Sequence, residues 1–397
     1  MANDPGSLPF IPLSVPVIQG NEWRYVKECL DTGWVSSVGS YVNRFEEDLA
    51  AFVGAPHAIA CVNGTAALQI ALQLAGVVAG EEVIAPTVTF IATINAVRYA
   101  GADPVFMDCD RYYNLDIEKV LDFLKRCTVF RDGHTWNKRT NRRIAALMPV
   151  HVFGNAVDLP PLLEVCRKLN IRVVEDAAES LGTYYTQGPL AGKHTGTVGD
   201  VGCFSFNGNK IVTCGGGGMI VTADAALAER ARYLTTQAKD DAVRFVHHEV
   251  GYNYRLTNMQ AALGVAQLEQ VRKFIASKKR NFLLYRAGIS GVPGLSLAES
   301  PPYADCNLWL YCLQIRKEDY GADREALMAY LEKRGVQSRP IWHLNHLQKP
   351  YARCESYHIE AAYTLYDRTL NLPSSSNLTE DDIERIVGYL VRSPALG

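Results

Sequence analysis

The sequence predicts an α/β fold: a mostly parallel, seven-stranded sheet flanked by helices, followed by a smaller α+β domain. Three observations predict it. Short apolar runs alternate with helix-length amphipathic stretches from about residue 58 to 222. A long helical stretch follows from Asn258 to Tyr285. The last hundred or so residues then mix strand-like and helical segments. Strands that alternate with helices form parallel sheets covered on both faces.

The elements follow in order. Ala58 to Val62 reads as a strand, Asn63-Gly64-Thr65 as a turn and Ala66 to Ala75 as a helix. Glu82 to Ala85 is a strand, and a helix runs from about Phe90 to Tyr99. Pro104 to Met107 is a strand, and the helix near Asp116 to Lys125 has Asp116 as an acidic start. Ile144 to Pro149 and Arg172 to Glu175 are strands on either side of a Leu159 to Leu169 helix. Val201 to Phe206 and Met219 to Thr222 complete the set. In the Asn258 to Tyr285 stretch, Leu263, Val265, Leu268, Val271 and Ile275 fall close to helical spacing. Helices of this length commonly bridge two domains. We expect a large domain over residues 20–270 and a small one over 271–397, joined by an N-terminal arm, 1–19.

Composition bounds the function. The chain has 397 residues, 48% of them hydrophobic and 21% charged, enough to bury a large core and too apolar for disorder. Forty basic residues against 42 acidic ones give a net charge of −2, which argues against a chain-wide grip on nucleic acid or an anionic membrane. No apolar run reaches the ~18 residues a membrane span needs. The start of the chain is interrupted by Pro5, Pro9, Pro12 and Pro16 and reads as neither signal nor transit peptide. The ten cysteines contain no Cys-x-x-Cys pair, so they read as reduced thiols of a cytoplasmic protein, with no metal site.

Four features sit at the ends of predicted strands, where open α/β sheets bind ligands. Asn63-Gly64-Thr65-Ala66 opens a helix, whose first N–H groups suit a phosphate. A plain cap is the competing reading. Asp176, in Val174-Glu175-Asp176-Ala177-Ala178-Glu179, follows an apolar strand; it reads as a helix cap or as a carboxylate held for a cationic partner. Lys210 closes Ser205-Phe206-Asn207-Gly208-Asn209-Lys210, where a surface lysine or a Schiff-base amine both fit. Thr213-Cys214-Gly215-Gly216-Gly217-Gly218 reads as a tight turn. Lys210 precedes Ile211, so this is not a Walker A loop, and the first turn lacks the Gly-x-Gly-x-x-Gly of a dinucleotide dehydrogenase.

Together the four change the reading. A lysine for a Schiff base, an aspartate for a pyridinium nitrogen, and a helix end with Thr and Ser hydroxyls for a phosphate are what pyridoxal 5′-phosphate (PLP) requires. Phe90, at another strand end, is placed to stack on its ring.

These segments resemble the DegT/DnrJ/EryC1/StrS group of PLP-dependent sugar aminotransferases, of the type-I aspartate aminotransferase fold. The resemblance runs from Pro16-Val17-Ile18-Gln19-Gly20 and Asp31-Thr32-Gly33-Trp34-Val35-Ser36-Ser37-Val38-Gly39 to Gly251-Tyr252-Asn253-Tyr254-Arg255-Leu256-Thr257-Asn258. Glu175 to Gly182 and Ser205 to Lys210 look most like the legionaminic acid branch, which aminates C4 of a nucleotide-linked, usually UDP-linked, 4-keto-6-deoxy-2-acetamido sugar. The resemblance implies that Lys210 carries the cofactor and moves protons, and that Asp176 pairs with the pyridine nitrogen. It implies that Glu179 lies near the phenolic oxygen, where many relatives have glutamine. Gly64, Thr65, Ala66 and Ser205 would hold the phosphate, Phe90 would cover the ring, and Asn253 would reach the cofactor of a partner subunit in a homodimer with shared active sites. Trp34, Ser36, His343 and His346 would face substrate, the two histidines reading equally well as plain surface residues, and Arg255 is a candidate for the donor carboxylate by its neighbourhood. L-Glutamate is the implied donor. C3-keto-sugar and GDP-sugar 4-aminotransferases share these motifs and stand as alternatives. A PLP-binding regulator would need a DNA-binding appendage, and the sequence shows none.

Overall fold

The apolar runs pair side by side into one eight-stranded sheet in the computed structural model, which describes residues 9–241 and 243–392. Residues 1–8 of the expected arm, and 393–397 at the other end, lie outside the described residues. The strand order is His57–Cys61, Gly218–Thr222, Val201–Ser205, Arg172–Asp176, Ile144–Leu147, Glu82–Pro86, Asp103–Met107 and Glu355–Tyr357. Gly218–Thr222 runs antiparallel to both neighbours, and every other pairing is parallel. The seven strands expected before residue 223 are all present. An eighth, Glu355–Tyr357, is added at the edge from the far end of the chain, pairing with Val105 to Met107.

The central strands are buried on both faces, as parallel strands under helices must be. Glu82–Pro86 and Ile144–Leu147 have no exposed residue. Helix starts follow the local chemistry. Asn63 caps the Gly64–Leu74 helix by accepting from Ala66 N–H, and Asp116 caps Ile117–Cys127 through Lys119 N–H.

The long stretch after residue 258 is two helices, Asn258–Leu268 and Val271–Gly288, not one. The break at Glu269 and Gln270 has a tertiary cause. Glu269 accepts hydrogen bonds from Asn21, Tyr25 and Arg44, and Gln270 donates to Glu22. Apolar periodicity carries no trace of those contacts. A second sheet, ordered Leu295–Leu297, Tyr311–Ile315, Thr369–Leu372 and Arg339–Pro340, packs with the Val271–Gly288 and Glu380–Val391 helices around its own apolar cluster. No helix among the described residues is long and apolar enough to cross a membrane.

Candidate active site

Four strand ends and one glycine turn meet in a pocket above the sheet. It is lined by Asn63, Gly64, Thr65, Thr89, Phe90, Thr93, Asp176, Glu179, Ser205, Lys210, Gly216, Trp309 and Trp342, among others. Asp176 ends its strand and is 3% exposed. One carboxylate oxygen accepts from Thr93 Oγ1 at 2.7 Å and the other from Ala178 N–H at 3.0 Å. A carboxylate offers about four lone-pair sites, so acceptor capacity remains. Burial raises the Asp176 pKa, opposed by the Thr93 and Ala178 hydrogen bonds and by the nearby Lys210 charge.

The Lys210 side chain is largely buried. Its amine lies 3.5 Å from Glu179 Oε1 and 3.9 Å from the centre of the Trp309 ring. Glu179 Oε2 accepts from Phe153 N–H at 2.8 Å. Burial pushes the Glu179 carboxyl up to about 7, although the Lys210 charge pulls it down. Burial thus favours the protonated form of Glu179, and a protonated carboxyl can donate a hydrogen bond as an amide does.

At the opposite end, Gly64 and Thr65 start a helix beside Ser205. Two glycines keep this end open. A Cβ on Gly64 would meet Ser205 Cβ at 2.8 Å, and one on Gly218 would meet Asn63 carbonyl atoms at 2.5 Å. Helix N–H groups, two hydroxyls and close backbone approach fit a phosphate. With Asp176 and Lys210 in the same pocket, the residues present fit PLP.

The pocket gathers Gly64, Thr65, Phe90, Asp176, Glu179, Ser205 and Lys210. It does not gather the rest. Ala66 corrects the expectation: its N–H is taken by Asn63 Oδ1, and it does not line the pocket. Trp34 lines a different cleft, with Cys29, Tyr41 and Arg255, and Asn258 holds the segment by hydrogen-bonding the Trp34 and Ser36 carbonyls. Asn253 is exposed and outside the pocket. Both His346 ring nitrogens are engaged, one by Thr87 Oγ1 at 2.7 Å and the other by Tyr363 OH at 2.9 Å. His343 is exposed, with Tyr366 OH at 3.3 Å. Arg255 pairs with Glu46 and donates to Ala60 O, so it has internal partners in place of a donor carboxylate.

Sequence reasoning missed Thr93, Trp309 and Trp342. Thr93 sits mid-pattern in the Ile91–Tyr99 helix, where a threonine is unremarked. Trp342 adjoined the two singled-out histidines and carried the better signal: it stacks on Phe153 at 4.8 Å and approaches Phe90 at 6.3 Å.

A lysine, an aspartate and a phosphate-shaped helix end in one pocket define a PLP-dependent enzyme. Comparison with known proteins narrows the class to sugar aminotransferases. The DegT/DnrJ/EryC1/StrS aminotransferase family model matches residues 16–391, and the chain belongs to that family. It is 39% identical to GDP-perosamine synthase of Caulobacter vibrioides, over 96% of this chain and 98% of that one. It is 32% identical to the UDP-N-acetyl-3-dehydro-alpha-D-glucosamine 3-aminotransferase of Acidithiobacillus ferrooxidans, covering 90% and 89%. Among solved structures, DesI with its TDP-sugar product superposes with a TM-score of 0.85 at 29% identity, covering 98% and 93%.

Proposed function

We propose that this enzyme moves the amino group of L-glutamate to C4 of a nucleotide-linked 4-keto-6-deoxy sugar. The observation that carries the transamination is the pocket holding Lys210, Asp176 and the Gly64–Thr65 helix end, and likeness to GDP-perosamine synthases supports the sugar substrate. PLP, when bound, supplies an electron-accepting ring. Lys210 holds the cofactor, then takes a proton from the glutamate Cα and later delivers one to C4 of the sugar. Asp176 would keep a proton on the ring nitrogen, and Thr93 orients Asp176. Gly64, Thr65 and Ser205 would hold the cofactor's phosphate, and Phe90 would cover its ring. Glutamate leaves as 2-oxoglutarate and the ketone leaves as an amine.

The nucleotide divides two readings. Likeness to GDP-perosamine synthases, at 39% and 35% identity over nearly the whole chain, supports a GDP sugar. The Glu175–Gly182 and Ser205–Lys210 segments support a UDP-linked 2-acetamido sugar of the legionaminic type. We place the enzyme in surface-glycan synthesis as a cytoplasmic homodimer. Ten free cysteines suit a reducing compartment. Exposed Trp34, Val35 and Val38, with exposed Asn253, suit a face that a second copy covers.

The test has two arms. Borohydride treatment of the yellow holoenzyme should fix the cofactor to Lys210. Incubation with glutamate and a panel of GDP- and UDP-linked 3-keto and 4-keto sugars, with the new amine located by NMR, should place it on C4. An amine at C3 overturns the regiochemistry, and a fully active Lys210→Ala variant overturns the mechanism.

A further inference from the structure

Trp309 is held from every side. Its backbone N–H donates to Asn307 Oδ1 at 3.0 Å, and its indole Nε1 donates to Asn209 O, next to Lys210, at 2.8 Å. Its carbonyl accepts from Lys278 Nζ and from Ser374 Oγ, both at 3.0 Å. The preceding residue, Leu308, has φ +55, a left-handed conformation that a leucine adopts only under constraint. Such strain persists where the surroundings over-determine it, and it concentrates at functional sites. Asn307, before it, donates to the Glu179 and Leu181 carbonyls. This strained segment therefore joins the second sheet to the Lys210–Glu179 pair.

Lys278 is the unusual member. It lies in the Val271–Gly288 helix and is 3% exposed. Its amine donates to the Trp309 and Ser374 carbonyls and faces the Tyr311 ring at 6.0 Å; among the described residues it has no carboxylate partner. A buried amine without a counter-charge is costly, and an apolar side chain of similar size would avoid that cost. Burial pushes the amine down to about 7. Donation survives deprotonation, because a neutral amine keeps two N–H groups.

We propose that Lys278 and Trp309 are positioning residues for Lys210: Lys278 fixes the Trp309 backbone, and the Trp309 ring fixes the Lys210 amine above the pocket. The inference rests on Lys210 being the cofactor's attachment point.

Three variants test it: Lys278→Met, Trp309→Leu and Trp309→Phe, with the Lys278→Met/Trp309→Leu double variant closing the cycle. The readouts are the visible circular dichroism of the bound cofactor and the rate at which the stripped full-length chain reacquires PLP. A cation–π contact of about 2 kcal/mol at a largely desolvated amine converts to about thirtyfold. Trp309→Leu should slow reacquisition by up to about thirtyfold and reduce the dichroism, and Trp309→Phe should keep both. Lys278→Met should act in the same direction, and the double variant should be no worse than the poorer single one. Effects that multiply in the double variant overturn the coupling. If Lys278→Met does not fold, wild-type dichroism in Trp309→Leu overturns the proposal by itself. Mapping the borohydride label on the wild type separates the two failures. A label on another lysine sinks the attachment reading, whereas a label on Lys210 with unaltered variants sinks only this inference.

Discussion

Thr93 Oγ1 donates to Asp176 Oδ2 at 2.7 Å, a buried hydrogen bond in the wall of the pocket. The Ile91–Tyr99 helix thus orients a carboxylate that belongs to a strand two positions away in the sheet. Hydrogen bonds to charged groups contribute about 1.5–3 kcal/mol. Thr93→Val should therefore weaken PLP binding by roughly 10- to 100-fold, measured by absorbance titration of the stripped protein. Unchanged affinity would show that Asp176 is held without it.

Glu179 predicts a pH dependence of stability. Its carboxyl rises from 4.5 to about 7 on folding, so the folded chain binds the extra proton across that window. The unfolded chain binds fewer protons there, so stability falls as pH rises from about 4.5 to 7. Burial moves Asp176 the same way. Urea unfolding of the cofactor-free protein across this range should show the fall, and Glu179→Gln should flatten it. A Glu179→Gln slope equal to wild type would contradict the assignment.

Gly64→Ala places a methyl 2.8 Å from Ser205 Cβ. Overpacking of this kind costs about 1–3 kcal/mol. We expect a lower melting temperature and weaker PLP retention together. Wild-type values for both would mean that the turn yields freely.

His346 joins the end of the Glu82–Pro86 strand to the 361–368 helix through Thr87 and Tyr363. Its replacement by alanine should lower stability by about 1 kcal/mol, the usual worth of such hydrogen bonds. The KM for the sugar nucleotide should stay unchanged. A raised KM with unchanged stability would restore a substrate-facing role.

Lys210→Ala should reduce turnover by at least about 100-fold, the lower end of what positioned proton transfer contributes. Steady-state assay with glutamate checks this directly.

Much of this site was legible in the sequence because its parts sit at strand ends. Asn63, Asp176 and Lys210 each follow an apolar run, and parallel topology brings such ends to one edge. Trp309 and Trp342 come from segments beyond the first sheet, so their approach to Lys210 and Phe90 depends on how the second sheet docks. No local spacing encodes that docking. The Trp34, Ser36 and Asn253 expectations come from resemblance, and a single chain does not bring those residues to the pocket. The helix break at Glu269 and Gln270 was invisible for a related reason. Its causes, Asn21, Tyr25, Arg44 and Glu22, lie more than two hundred residues away.

The Glu355–Tyr357 strand has a consequence for synthesis on the ribosome. It seals the Asp103–Met107 edge, yet it emerges about 250 residues later. Until then the nascent sheet presents unpaired backbone N–H and C=O groups, the template on which chains self-associate. The growing polypeptide is exposed to aggregation until nearly its whole length has been translated. A truncation just before residue 355 would make that transient hazard permanent.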